Sequence, residues 1–294
     1  MRFASISPNR RRRPLALLPR LWVATLAAVT LAVAATSGAA TKVTPGTFVW
    51  HDLVTDNPAT AKKFYGELFG WTFEPGKGVE PDYTIIRHQG VPIGGIVAPK
   101  QSTSPQWLSY VVVADVDRAV EAFRQAGGQV YRAPLNARSD LRVAAVADPQ
   151  GAPIGLASRG PLEGTSDAVP EIHRWLWMDY VARDEAPALQ FYSQVLGYTS
   201  QAETRETATY YRLANGRPRA GLFKTPWPRE TSIWLPYIRV ADPEASSKRA
   251  QELGGLIVQA PAPRVRNGSL AIVLDPGGAP IALQKYPFDA GVTR

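Results

Sequence analysis

Cysteine is absent from this chain of 294 residues, and histidine occurs only three times, as His51, His88 and His173. Without cysteine the chain has no disulfide, no thiolate metal site, no cysteine nucleophile and no lipid attached through a thiol. A zinc-type site would need imidazole or carboxylate ligands, and imidazole is scarce. The sequence also lacks a Gly-x-Ser-x-Gly nucleophile elbow and a phosphate-binding loop. The absent cysteine excludes enzymes with a cysteine nucleophile, and the absent motifs argue against hydrolases with a nucleophile elbow and against enzymes with a phosphate-binding loop.

Beyond residues 1–40 the chain also lacks a large excess of positive charge. The formal net charge of +8 at first suggests a nucleic-acid partner. Six arginines, however, lie within residues 1–40, which contain no acidic residue, so the remainder of the chain carries only +2. No basic stripe runs through that remainder. We therefore predict no nucleic-acid partner.

Residues 1–40 have the order of an export signal. A basic region ends at Arg20, an apolar run follows over 21–35, and small residues close the segment at 36–40. This order predicts a signal peptide cleaved after Ala39 or Ala40, and a secreted or periplasmic protein. The alternative is an uncleaved anchor, because residues 21–40 are about long enough to span one bilayer. Membrane contact is expected only in that case.

The rest of the chain is one sequence written twice, at a constant offset of 127 residues. Trp50 matches Trp177, and Asp52 matches Asp179. Other matches include Phe64-Tyr65 with Phe191-Tyr192, Tyr110 with Tyr237, and Gly151-Ala152-Pro153-Ile154 with Gly278-Ala279-Pro280-Ile281. A period of this length indicates a duplicated domain. We predict a first domain at 47–158, a polar linker at 159–172 and a second domain at 173–286.

Each copy divides into two modules with the same local order. In the first module a β-branched and aromatic run at 47–55 predicts a strand. Asn57 caps a helix that starts at Pro58 and ends at Gly70. The other predicted strands lie near 72–74, 83–87 and 93–97; the next module has a strand at 108–113, a helix at 116–126 and strands near 129–132, 142–147 and 153–157. The unit is therefore β-α-β-β-β, an α+β fold.

Four such modules in two pairs resemble the vicinal oxygen chelate superfamily, which includes glyoxalase I, bleomycin-resistance proteins and extradiol dioxygenases. The resemblance covers about residues 47–286. It rests on these motifs: Asn57-Pro58, Phe64-Tyr65 and Leu68-Phe69-Gly70; Asp184, Phe191-Tyr192 and Val195-Leu196-Gly197; and the closing turns Asp148-Pro149-Gln150-Gly151 and Asp275-Pro276-Gly277-Gly278. It implies two tandem domains, each a curved mixed sheet whose concave face forms a cup.

Catalytic members of the superfamily hold a divalent metal in the cup, on the first and last strands of a module. Carried over by motif, the corresponding positions are Trp50, Leu108, Gly155, Trp177, Leu235 and Ala282. None of these side chains offers a lone pair to a metal. His51 follows the first of these positions, but strand alternation places it on the opposite face, and Met178 replaces it in the second copy. We therefore expect no metal site and no cofactor.

Alternation instead predicts an aromatic cup with a few polar groups, as is typical of small-molecule sites. The candidate ligand-binding residues are Trp50, Asp52 and Tyr110 in the first copy and Trp177, Asp179, Tyr237, Arg239 and Gln284 in the second. Arg239 and Gln284 replace Val112 and Ala157, so the second cup is more polar and suits an anionic ligand. Asp52 and Asp179 either bind a ligand, act as catalytic bases, or pair with Trp, Tyr or Arg within the fold.

These observations favour an exported protein that binds a small organic molecule in an aromatic cup without a metal. The alternative is a vicinal oxygen chelate enzyme, lyase or dioxygenase-like, with a non-standard metal site or an aspartate base. A third possibility is an interaction module in which one copy supports the other. A homo-oligomer is compatible with the sequence, which leaves the ligand and any reaction open.

Overall fold

The computed structural model describes residues 43–76, 83–99, 103–159, 169–204, 208–227 and 230–286. The expected leader and most of the expected linker lie outside these residues. Within the ranges described, no helix is both long and apolar enough to cross a membrane.

The first domain contains two β-α-β-β-β modules, as the sequence predicts. Its elements are β1 Phe48–Val54, α1 Pro58–Phe69, β2 Thr72–Pro75, β3 Thr84–His88, β4 Val91–Val97, β5 Gln106–Val112, α2 Val116–Gln125, β6 Gln129–Arg138, β7 Leu141–Ala147 and β8 Pro153–Ala157. The Asn57 side chain accepts from the Thr60 amide, and Gly70 closes α1 in the left-handed conformation that glycine adopts readily. The predicted cap and stop of α1 are confirmed.

The second domain repeats this order. Its elements are β9 Trp175–Ala182, α3 Glu185–Leu196, β10 Thr199–Thr204, β11 Thr209–Asn215, β12 Arg217–Lys224, β13 Ile233–Val240, α4 Pro243–Glu252, β14 Leu256–Gln259, a short 3-10 turn Arg266–Gly268, β15 Leu270–Leu274 and β16 Pro280–Lys285. One difference between the copies matters for the site. Strand β6 runs to Arg138, beyond its predicted end, whereas β14 stops at Gln259 and gives way to an irregular segment.

Each domain forms one curved, open sheet of eight strands. The order is β2-β3-β4-β1-β5-β8-β7-β6 in the first sheet and β10-β11-β12-β9-β13-β16-β15-β14 in the second. The first strands of the two modules lie side by side at the centre, antiparallel, and each runs parallel to the last strand of its own module. The central strands therefore carry the residues at the bottom of each cup.

The helix-bearing faces of the two sheets pack against each other. One apolar cluster joins the second module of the first domain to the first module of the second, and another joins the two remaining modules. Helix α1 contacts α4, and α2 contacts α3. The concave faces form two further clusters, each built from one domain alone. We call these concave faces cup 1, around Trp50, and cup 2, around Trp177.

The repeated Phe-Tyr and closing-turn motifs meet across the domain interface. Asp148 Oδ2 accepts from the hydroxyls of Tyr180 and Tyr192, at 2.5 and 2.8 Å. In the reciprocal position Asp275 Oδ2 accepts from the Tyr65 hydroxyl at 3.0 Å. Each closing turn thus binds the other domain, and these motifs hold the two copies together.

The histidines lie away from the cups. His51 faces the domain interface, where its Nδ1 lies 2.8 Å from Ser109 Oγ and its ring packs against that of Trp175, with the ring centroids 4.1 Å apart. This confirms that it lies on the opposite face from Trp50. His88 is buried at the end of β3, and its ring lies 6.1 Å from that of the half-buried His173.

Candidate ligand sites in the two cups

Cup 1 contains a closed network around Asp52. Alternation along β1 places Trp50 and Asp52 on the same face, and the Trp50 indole donates to Asp52 Oδ1 at 2.8 Å. Tyr83 directly precedes β3, and its hydroxyl donates to the same oxygen at 2.9 Å. The indole also lies 3.1 Å from the Tyr83 hydroxyl. One carboxylate oxygen is thereby satisfied by two donors.

The other carboxylate oxygen of Asp52 is left without a formed bond. Tyr110 on β5 interacts with the carboxylate, yet Oδ2 accepts no hydrogen bond of standard geometry from the residues the structure describes. Asp52 itself is 0% exposed. Burial raises the pKa of this carboxyl to about 6, against the lowering effect of the hydrogen bonds from Tyr83 and Trp50 and of the neighbouring Tyr110 hydroxyl.

Cup 2 repeats the network around Asp179. The Trp177 indole and the Tyr210 hydroxyl donate to Asp179 Oδ1 at 2.9 and 2.8 Å. Here the second oxygen is also bound, because the Tyr237 hydroxyl donates to Oδ2 at 2.6 Å. Tyr83 and Tyr210 are themselves 127 residues apart, so the complete network belongs to the duplicated unit.

Arg266 distinguishes cup 2 from cup 1. Its Nη2 donates to Asp179 Oδ2 at 2.9 Å, and its Nη1 donates to Gln284 Oε1 at 3.2 Å. The guanidinium also lies 5.5 and 5.2 Å from the ring centroids of Tyr210 and Tyr237, within cation–π range. Asp179 therefore accepts from four side chains, and its charge is balanced by a cation.

The backbone that carries Arg266 is unusual. Arg266 and Asn267 both have positive φ, 47° and 51°. Two consecutive non-glycine residues in the left-handed region cost about 1–2 kcal/mol each. Burial opposes the charge of Arg266, but Tyr237, Asp179 and Tyr210 together raise the pKa of the guanidinium above its ordinary value. The strained turn thus presents a permanently charged donor to the cup.

Of the two polar residues that the sequence predicts for cup 2, Gln284 and Arg239, only Gln284 joins the network around Asp179. Gln284 is buried, and its amide donates to Ser269 and to the Lys285 carbonyl, which fixes its Oε1 for Arg266. Arg239, in contrast, donates to the backbone carbonyls of Pro170 and Tyr286, both at 2.6 Å. The structure brings Gln284 into the network of cup 2 and engages Arg239 outside it.

The two cups differ in how far they are open. In cup 1 Trp50, Asp52, Tyr83 and Tyr110 are between 0 and 4% exposed. In cup 2 Trp177 is half-buried. Cup 2 also has more partly buried apolar side chains than cup 1. In cup 2 they are Leu176, Trp177, Phe223, Trp227, Ile233 and Val265, and in cup 1 they are Val49, Tyr131 and Leu135. Cup 2 therefore offers aromatic surface to a ligand from solvent.

Tyr83, Tyr210 and Arg266 are not among the residues singled out from the sequence. The two tyrosines could have been found, because they are a matched pair of the repeat. Arg266 has no such signal, since its counterpart in the first copy is Ser139 and the segments around the two residues fold differently.

A close glycine contact supports both networks. A Cβ on Gly221 would overlap the Tyr210 hydroxyl and Asp179 Oδ1, and one on Gly95 would overlap Tyr83 and Asp52 Oδ1 in the same way. These glycines on β12 and β4 let the buried carboxylate and tyrosine meet above the strand.

We therefore expect Gly221→Ala to lower the free energy of unfolding by about 1–3 kcal/mol, because the added methyl group forces the network apart. Urea unfolding measures the effect. Gly66→Ala is the matched control: it lies inside α1 with only ordinary contacts, and alanine is the better helix former. Equal losses in the two variants would contradict this account.

Among the residues that the structure describes, neither cup contains a set of donors equivalent to the metal site of the superfamily. Trp50 and Trp177 direct indole N–H groups toward the aspartates, and each cup network holds a single carboxylate. No group of three His, Asp or Glu residues that could hold a metal occurs in the described ranges. A divalent cation prefers several oxygen or imidazole ligands, so the residues present do not fit one.

Each of the two domains matches a known protein family. The profile of the glyoxalase-like domain matches residues 49–157. That of the glyoxalase/bleomycin resistance protein/dioxygenase superfamily matches residues 174–283.

The chain aligns with two curated relatives over nearly the whole length of each relative. The chain is 30% identical over 249 residues to CFP32 of Mycobacterium tuberculosis, whose name associates it with the glyoxylases; the match covers 82% of this chain and 95% of CFP32. It is 29% identical over 283 residues to the anthracycline biosynthesis protein DnrV of Streptomyces peucetius, covering 85% and 98% of the two chains.

Solved structures share the fold at low sequence identity. The Mn(II)-bound glyoxalase from Novosphingobium aromaticivorans has a TM-score of 0.58 at 12% identity and covers 85% of this chain and 86% of its own. The E323L mutant of homoprotocatechuate 2,3-dioxygenase from Brevibacterium fuscum has a TM-score of 0.56 at 16% identity, covering 87% and 76%. With its two matching domains and their shared fold, the chain belongs to the glyoxalase/bleomycin resistance protein/dioxygenase superfamily, the vicinal oxygen chelate proteins.

Proposed function

We propose that this protein is exported and binds a small, planar organic molecule in cup 2 without a metal ion. The observation that carries the proposal is the pairing of a half-buried Trp177 with the Arg266 guanidinium, both fixed on Asp179. An aromatic surface beside a few oriented polar groups is what small-molecule sites offer.

Arg266 supplies the polar anchor. A guanidinium has five N–H donors, and the two bonds to Asp179 and Gln284 leave some of these without a partner among the described residues. Its side chain is 17% exposed, so a ligand can reach it. An oxygen acceptor, a carboxylate or a polarised carbonyl, is the group that a guanidinium binds best.

The ring of the ligand would lie against Trp177 and the apolar side chains around it. An indole offers a large flat surface for stacking. The relative DnrV is named for anthracycline biosynthesis. This agrees with a flat aromatic ligand for the present protein, and we propose aromatic acids and aromatic ketones as the class to test.

An enzyme that uses an aspartate base is the second candidate, and one observation favours it. The pKa of Asp52 is raised to about 6, near the pH at which a carboxylate is an effective base. Asp179 is less suitable, because four donors already occupy its oxygens. A base at Asp52 would also require cup 1 to open.

Binding in cup 2 is tested by titrating the mature protein with planar aromatic acids and their matched primary amides, using calorimetry. We expect saturable binding of the acid that EDTA does not change. Arg266→Gln should weaken it by roughly 10- to 100-fold, because a charge-assisted hydrogen bond is lost. Trp177→Leu should weaken it too.

Arg264→Gln is the matched control, since Arg264 is exposed and lies two residues away on the same segment. Equal weakening by Arg264→Gln and Arg266→Gln would reduce the effect to general charge and overturn the proposal. Tightly held, stoichiometric metal in the purified protein would also contradict it. Export is tested separately by the N-terminal residue of the protein recovered outside the cell, expected at position 40 or 41.

A further inference from the structure

One pair of matched positions in the repeat differs in a way that the fold does not require. His173 lies just before β9, at the place that Gly46 occupies before β1, 127 residues earlier. Both residues have positive φ, 68° and 85°. Their amides donate to the matched carbonyls of Arg239 and Val112, at 2.7 and 2.8 Å. The backbone conformation is therefore the same in both copies, although the residues are not.

Glycine is the residue that this backbone conformation favours. Glycine adopts the left-handed region freely, whereas histidine does so only at a cost in free energy. Residues held in such conformations are concentrated at functional sites. His173 thus replaces an easier residue, and the reason for its presence is to be found in the contacts of its side chain.

The imidazole of His173 lies beside that of His88, with the ring centroids 6.1 Å apart. His88 is buried at the end of β3 in the first domain, and His173 is half-buried at the start of the second. The equivalent residues in the other half of the molecule, Asn215 and Gly46, also face each other, because a Cβ on Gly46 would lie 3.3 Å from that of Asn215. Two imidazoles therefore meet at one end of the domain interface, and the matched place at the other end has none.

Each of the two rings keeps a nitrogen lone pair for a ligand. The Ile172 carbonyl favours an N–H on the His88 ring, and the Phe69 carbonyl does the same for His173. A neutral imidazole whose N–H points to a carbonyl offers its other nitrogen as an acceptor. Within the described residues His88 makes no side-chain hydrogen bond of standard geometry that would occupy that nitrogen. Burial lowers the pKa of both imidazoles, which keeps them in the neutral form that binds a metal.

We propose that His88 and His173 form a binding site for a divalent transition-metal ion, such as Zn²⁺, Ni²⁺ or Cu²⁺, that connects the two domains outside both cups. Imidazole nitrogen suits these ions, whereas Mg²⁺ and Ca²⁺ prefer oxygen ligands. Two imidazoles that share a zinc ion, at about 2.0–2.1 Å per nitrogen, have ring centres roughly 5–6 Å apart. The observed 6.1 Å therefore requires only a small movement of the half-buried His173 ring.

The surroundings of the pair make this a weak and exchangeable site. Within the described ranges no third His, Asp or Glu side chain completes a set of metal ligands, so water must fill the other positions. Arg174 opposes a positive charge at His88 and Glu171 favours one, so the local field does not select strongly for a cation. We expect an ion that EDTA removes, unlike the tightly held metal that would contradict the proposal for cup 2.

The experiment titrates Zn²⁺ into ¹⁵N-labelled mature protein without a histidine tag and follows the imidazole nitrogen signals by NMR. The chain has only three histidines, so single variants assign every signal. We expect the signals of His88 and His173 to shift together and saturably, and to return when EDTA is added. His51, buried beside Ser109, is the internal control and should not respond. Mg²⁺ should shift none of the three.

His88→Asn and His173→Gly are the matched variants, because each introduces the residue that the other copy has at the same position. Each should weaken Zn²⁺ binding by roughly tenfold or more. His173→Gly should do so without lowering the urea midpoint of unfolding, because it removes a left-handed histidine. The proposal is overturned if Zn²⁺ shifts neither ring, if either variant binds Zn²⁺ as the wild type does, or if His51 responds as strongly. Aromatic acid binding is measured in EDTA, so its outcome is independent of this one.

Discussion

Replacing Arg266 by alanine is expected to lower the free energy of unfolding by about 3 kcal/mol, one of the two largest effects we predict for a single substitution. Asp179 is 0% exposed, and the variant leaves its negative charge buried without a cation. Trp177, Tyr210 and Tyr237 still donate hydrogen bonds to Asp179 in this variant. We therefore expect a loss of stability at the lower end of the range that is typical of broken buried ion pairs.

A double-mutant cycle measured by urea unfolding separates this effect from lost packing. In Arg266→Ala/Asp179→Asn the buried charge is gone, so the double variant should be less destabilised than the sum of the two single variants. Arg264→Ala, an exposed change on the same segment, should stay within about 0.5 kcal/mol of the wild type. Strict additivity of the two single changes would show that the ion pair contributes nothing.

Most of the fold could be predicted from the sequence because its determinants are local and appear twice. Strand alternation alone separates Trp50 and Asp52, which face the cup, from His51, which faces the domain interface. The Asn57 cap and the Gly70 stop fix α1. The constant offset of 127 then carries each assignment into the second domain.

The parts that escaped prediction depend on contacts distant in sequence or on irregular backbone. Arg266 reaches Asp179 across 87 residues, from a turn with two left-handed residues that no periodic pattern indicates. A register shift in β9 lets Trp175 face the domain interface while Trp177 faces the cup, although plain alternation would put both on one side. The roles of Asp148 and Asp275 across the interface likewise require the two domains to be docked.

The second large effect concerns the dependence of stability on pH in Asp52→Asn. Asp52 has a pKa of about 6 in the folded protein, above the ordinary 3.8 of an aspartate, because burial penalises its charge. Between these two values the folded state keeps a proton that the unfolded state has released. The contribution of Asp52 to stability therefore falls as pH rises from about 4 to about 6, and it is constant above and below that window. A difference of about two pKa units corresponds to about 3 kcal/mol.

Asparagine does not titrate, and its Oδ1 can still accept from Trp50 and Tyr83. We therefore expect the free energy of unfolding of Asp52→Asn, relative to wild type, to increase by about 3 kcal/mol between pH 4 and pH 7. Urea unfolding of both proteins at closely spaced pH values measures this difference. The other buried carboxyls with raised pKa values, Asp148 and Asp275, are present in both proteins, so their effects cancel. A difference that does not change with pH would show that Asp52 titrates at its ordinary value. An opposite slope would show that a cation is already paired with it.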